Sequence, residues 1–132
     1  MKSKQVLMIA GVFGATAVML GAFAAHGLKA MLSEYPIGVF DTGVQYQFIH
    51  TLALVLIGIL MQIKVGEKVE KGLRNAAICF IIGILCFSGS LYALALTGIK
   101  WFGPITPFGG LMFIVGWVCF TIAAFRMKEV KS

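Results

Sequence analysis

The sequence predicts an all-α protein: a bundle of four transmembrane helices with a short interfacial helix between the first and second spans. Three observations predict it. Hydrophobic residues make up 60% of the 132-residue chain and charged residues only 12%, against about 45–50% and about 25% in ordinary globular chains. Mean hydropathy is +0.97, more apolar surface than a soluble domain of this length can hide. The apolar residues also fall into four runs of about 20, the length a helix needs to cross about 30 Å of hydrocarbon. Between these runs lie almost all the charges.

The first span is read as 6–25. Lys2 and Lys4 precede it, and together with Ala22-Phe23-Ala24 they imitate a secretory signal with its cleavage site. The run exceeds the usual apolar region of about 7–15 residues, however, so an uncleaved span is expected. Ala17, Gly21 and Ala25 recur at every fourth position, a face on which a neighbouring helix can approach closely. His26 follows where the span meets the interface. Leu28, Met31 and Leu32 would share one side of a short interfacial helix, with Lys29 turned away. Ser33-Glu-Tyr-Pro36 is expected to end it, because the residue before proline is pushed out of helical geometry.

Asp41 is expected to cap the second span, 44–63, by accepting from its first free N–H groups. The opening turns of this span carry Gln45, Tyr46, Gln47 and His50. Tyr46 and His50 are four apart and Gln47 and His50 three apart, which puts them on one side of a helix. Polar groups entering hydrocarbon need partners. Two readings stand side by side: interhelical hydrogen bonds, or a small polar pocket opening at one membrane face.

Lys64 to Asn75 is a charged connector, expected to extend the flanking helices into water, with Asn75 capping the third span, 76–96. Ser88 and Ser90 lie in Phe87-Ser-Gly-Ser-Leu-Tyr92. This is not the nucleophile-elbow pattern G-x-S-x-G, and hydroxyls bonding their own helix or a neighbour are the default. A turn carrying Trp101 precedes the fourth span, 107–125, with Thr106 expected as its cap and Pro107 as its first helical residue. Trp117 is expected to fill a gap between helices. Cys79, Cys86 and Cys119 lie inside apolar runs without the spacing of a metal site, and read as small packing residues.

The formal charge of +6 reads as topology and not as nucleic-acid binding, because the basic residues sit in short loops and tails. Four spans put both ends and the 64–75 connector on one side. That side holds nine basic residues, and the other holds only Lys29 and Lys100. Basic residues stay in the cytoplasm, so both termini are expected inside a bacterial inner membrane. His26, Asp41, Gln45 and Tyr46 then lie toward the outer face, with His50 deeper.

Four stretches in the right order, Gly21-Ala-Phe-Ala-Ala-His-Gly27, Thr42-Gly-Val-Gln-Tyr-Gln-Phe-Ile-His50, Phe87-Ser-Gly-Ser-Leu-Tyr92 and Ile105-Thr-Pro-Phe-Gly-Gly110, closely resemble the motifs of the YgdD/YwdK-like family of small bacterial membrane proteins. The resemblance covers nearly the whole chain and implies a four-helix integral membrane protein. It brings no activity with it. Ala24 stands where the first motif is expected to have glycine, a change that bears on packing.

The function expected is a non-enzymatic module. An outward polar pocket formed by His26, Asp41, Gln45, Tyr46, Gln47, His50, Ser88, Ser90 and Thr106 would hold a lipid, a small hydrophobic molecule or a partner membrane protein, and the bundle is a candidate homo-oligomer. The alternative is transport of a small solute or proton, which the two histidines could serve because free histidine titrates near about 6.5. Against it, no Asp, Glu, Lys or Arg lies deep in a span, and no inverted repeat is evident. A haem or metal centre on His26 and His50 rests on two ligands alone. No cofactor is expected, and hydrolase or transferase chemistry has no motif to support it.

Overall fold

In the computed structural model, residues 1–129 are described; Lys131, part of the basic tail, lies outside them. Among the described residues there is no strand, and five α-helices make four membrane-length segments. They are α1 (Ser3–His26), α2 (Glu34–Gln62), α3 (Glu67–Gly83), α4 (Gly89–Thr97) and α5 (Ile105–Arg126). A π-helical turn, Ile84–Ser88, joins α3 and α4 into the third span. Exposed Met19, Leu52, Leu85 and Ile114 show how the outer surface is built for lipid. The multi-pass architecture expected from composition is the one observed.

Short connections make successive spans antiparallel, and the neighbours fix the register. Along α1 and α2, Gln62 bonds Ser3, Gly58 faces Leu7, Gly14 faces Thr51 and Gly21 faces Val44. Gly72 meets Ala123, Gly83 meets Phe113 and Gly116 meets Phe80 along α3 and α5. A glycine on each of these faces lets the partner's side chain lie against bare backbone, which is how helices pack without a hydrophobic push from solvent. Two buried clusters result. One, around Leu54, Ile57, Leu73 and Phe80, fills the end with the termini. The other, around Ala24, Leu28, Phe40, Val44 and Ala95, closes the opposite end.

Several boundaries differ from the sequence reading. The second helix begins at Glu34, ten residues before Val44, and contains Pro36. Proline in the first helical turn gives up only an N–H that has no partner there. Asp41 is therefore no cap but an exposed residue within α2. The interfacial segment is one 3-10 turn, Leu28–Ala30, with Leu28 buried and Met31 exposed, so the two do not share a face. Asn75 lies in mid-α3 and caps nothing. The N-cap of α3 is Gly66, whose φ of 95° is in the region that favours glycine. Pro104 stands at the N-cap of α5, and the Thr106 hydroxyl turns instead to a neighbouring helix.

Candidate functional site

Two polar side chains of α2, Gln47 and His50, turn inward near the middle of the helix. His50 is 16 residues from Glu34 and 12 from Gln62 along α2. At about 1.5 Å per residue, this helix of 29 residues is about 43 Å long, longer than the hydrocarbon core. His50 thus falls near the middle of the helix. Gln47 lies opposite Phe13 and Thr16, near the middle of α1, and Trp117 is near the middle of α5.

Gln47 joins three helices. Its Nε2 donates to the Phe13 carbonyl and to Thr16 Oγ1, both at 2.9 Å, and its Oε1 accepts from the Tyr92 hydroxyl at 2.6 Å. One residue therefore links α1, α2 and α4. Tyr92 stands against Gly43, where an added Cβ would lie 2.7 Å from the ring. Beside it, the fully buried Ser88 hydroxyl donates to the Gly43 carbonyl at 2.7 Å. The default reading of Ser88, a hydroxyl bonded to a neighbouring helix, describes this contact.

His50 points the other way, toward α3 and α5. Trp117 Nε1 donates to His50 Nε2 at 3.0 Å, and His50 Nδ1 is 2.8 Å from the Tyr46 carbonyl. An indole nitrogen only donates, so Nε2 carries no hydrogen. Nδ1 carries it instead and donates to the carbonyl. Both ring nitrogens of a neutral imidazole are thereby engaged. The ring stacks on Phe113 with centroids 3.6 Å apart and planes 10° apart, and Phe80 meets it edge-on at 5.2 Å.

The π-helical turn sets the third polar contact. Ser90 Oγ donates to the Phe87 carbonyl at 2.9 Å and lies 2.5 Å from Thr106 Oγ1. The Ser90 hydrogen is committed to the carbonyl, so Thr106 donates to Ser90. Where α5 crosses this turn it does so at Gly109, whose added Cβ would lie 2.7 Å from the Phe87 Cα. Turns of this kind recur at functional sites.

Between the π-helical turn, α2 and α5 a groove of about 580 Å³ opens sideways toward lipid. Tyr46, His50, Phe113 and Trp117 line its inner wall, and Leu111 and Ile114 its outer edge. Tyr46 is 38% exposed and Trp117 41%. The wall is thus aromatic, with a phenol and an indole edge as its polar features.

Of the nine residues singled out from the sequence, Gln47 bonds Tyr92 and Ser88 the Gly43 carbonyl beside it, Tyr46 and His50 meet at the groove, and Ser90 pairs with Thr106. Gln47 and His50, expected on one side, face different helices. His26, Asp41 and Gln45 are exposed and lie outside these networks. Extending the α1–α2 register puts His26 level with Val39, eleven residues from His50. That is about 16 Å along the axis, too far for both to ligate one ion. Trp117 and Phe113, which hold His50, carry no site signal in the sequence beyond the lone indole donor deep in a span. They sit in an apolar run with no periodic polar neighbour.

A family model described as "Protein of unknown function (DUF423)" matches residues 20–110. A UPF0382 membrane protein of Haemophilus influenzae is 38% identical over 130 residues, covering 98% of this chain and all of the relative. The UPF0382 inner membrane protein YgdD of Escherichia coli K12 is 34% identical over 98% of this chain and 95% of its own. A UPF0382 membrane protein of Staphylococcus aureus is 42% identical over 110 residues, 83% of this chain and 86% of its own. No solved structure is significantly similar.

Proposed function

The chain belongs to the DUF423 family of membrane proteins, and from that premise we propose that it is a non-enzymatic module that holds a hydrophobic ligand in the lateral groove between α2 and α5. The observation that carries this reading is the groove itself. It lies near the middle of α2 and α5 on the outer surface of the bundle, and presents stacked aromatic rings with the Tyr46 phenol as a donor. A flat or chain-like apolar molecule bearing a carbonyl or ester oxygen fits such a wall: rings stack or meet edge-on, and the phenol supplies one hydrogen bond. His50 serves as part of the wall. Both its nitrogens are held, which favours a fixed surface over a proton carrier or a metal ligand.

Orientation belongs to the same proposal. Basic residues crowd the end that holds the termini and the connector between α2 and α3, which supports a cytoplasmic location for both termini in the inner membrane of a bacterial cell. The groove opens into the bilayer interior and not to either aqueous face.

Mass spectrometry of the gently extracted protein tests the reading. Wild-type protein is expected to retain a defined hydrophobic molecule, and Gly110→Leu to lose it. A Cβ at Gly110 has room, with the Phe87 ring 3.8 Å away, so the larger side chain fills the groove without displacing backbone. Retention of bulk lipid alone by the wild type, or equal retention by Gly110→Leu, overturns the proposal. Capture of a partner protein that Gly110→Leu releases also overturns it, in favour of helix docking at the same face.

A further inference from the structure

A second groove, of about 430 Å³, lies at the other side of α5 where it packs on α3, at the end of the bundle that holds the termini. Lys68, Lys71, Asn75 and Arg126 line its upper part, and Cys119 and Ile122 its floor. The arrangement follows from helix geometry. Lys68, Lys71, Gly72 and Asn75 are spaced by three and four residues, so they form one stripe on α3. Gly72 in that stripe brings α5 close, with its added Cβ 3.0 Å from Ala123 Cβ. The close approach makes the cleft, and Arg126, the last residue of α5, overhangs it from the opposite wall.

No carboxylate lines this groove among the described residues. Glu70 falls on the far side of α3 by helical position, and Glu67 at the edge of the stripe. Three cations and one amide therefore converge over an apolar floor. The floor continues down the same face of α5 into exposed Val118 and Val115, an apolar strip suited to acyl chains. Cations above and a lipid-facing strip below match an amphiphile with an anionic head and acyl chains.

We propose that this groove binds the phosphodiester head group of an anionic phospholipid, with the acyl chains lying along α5 over Ile122. The lysines supply point charge, the Arg126 guanidinium a planar fork suited to phosphate oxygens, and Asn75 a neutral donor. Basic pockets between helix ends at a membrane surface take such head groups. The site is separate from the lateral aromatic groove and stands or falls without it.

The experiment uses the full chain in a mild neutral detergent, titrated with phosphatidylglycerol or phosphatidylcholine and read by native mass spectrometry. Wild type is expected to retain phosphatidylglycerol in preference to phosphatidylcholine. Lys68→Gln/Lys71→Gln/Arg126→Gln is expected to lower that retention at least about tenfold, while Lys29→Gln/Lys100→Gln, at the other end, leaves it unchanged. Should the triple variant fail to fold, Lys71→Gln and Arg126→Gln singly are each expected to weaken retention in the folded protein. Equal retention of the two lipids, or loss in the Lys29/Lys100 variant to the same degree, overturns the proposal. So does full displacement by millimolar inorganic phosphate, which would make this a soluble-anion site.

Discussion

At the scale of single residues, neutral hydrogen bonds near the middle of the helices hold them in one arrangement. Each bond is modest, about 0.6 kcal/mol on average between membrane helices, but an unpartnered buried acceptor is penalised more. Trp117→Phe keeps an aromatic ring against Phe80 and Phe120 and removes the donor to His50 Nε2 together with part of the indole. It is expected to lower stability by about 1 kcal/mol, read as an earlier denaturation midpoint in mild detergent. It should also release the imidazole from a single tautomer, which nitrogen chemical shifts of the labelled histidine report. An unchanged histidine spectrum would show that the indole does not hold the ring. The polar character of α2 was legible in the sequence, since Gln47 and His50 stand out in an apolar run. Their partners were not, because the Phe13 carbonyl is a backbone group and Trp117 is 67 positions away from His50.

At the scale of elements, the π-helical turn and the glycine opposite it act as one unit. The turn carries Phe87 to α5 and Ser88 to α2 at once, with Ser90 just beyond it in α4, and α5 accommodates it only because Gly109 lacks a side chain. Gly109→Ala puts a methyl group 2.7 Å from the Phe87 Cα and Cβ, with backbone among the obstructing atoms, so no rotamer change relieves it. The expected loss is about 1–3 kcal/mol, measured as a fall in midpoint, and Thr106 is drawn away from Ser90. Gly11→Ala, with nothing within 4 Å of its added Cβ, is the control and is expected to be neutral or slightly stabilising. Comparable losses in both would mean that the close approach at Gly109 does not set the effect. The four spans and the motif-based family were legible because length, hydropathy and glycine spacing are local properties. The start of α2 was misread because Ser33-Glu-Tyr-Pro36 satisfies both a breaker rule and a first-turn rule, and only tertiary packing of Phe40 and Leu28 decides between them. The π-helical turn leaves no hydrophobic-period signature, since it shifts one residue within a continuous apolar stretch.

At the scale of the whole molecule, charge and packing divide the bundle into ends with different tasks. The end with the termini carries nearly all the basic residues and the larger buried cluster. The opposite end carries Lys29 and Lys100, which Glu34 and Asp41 offset in number. Such asymmetry sets orientation during insertion, because basic residues next to spans resist translocation. The native thiols serve as a background for testing it, since Cys79, Cys86 and Cys119 lie within the helices and are no more than partly exposed. A cysteine in place of Tyr35, which is 78% exposed at the start of α2, is expected to react with a membrane-impermeant maleimide on intact cells. A cysteine in place of Glu70, exposed on α3, is expected to react only after permeabilisation. The reverse pattern would place the termini outside and move the basic groove at Lys68, Lys71 and Arg126 to the outer leaflet. It would leave the aromatic groove in place, because a site near the middle of the helices keeps its surroundings when the molecule is turned over, whereas a site built at one end does not.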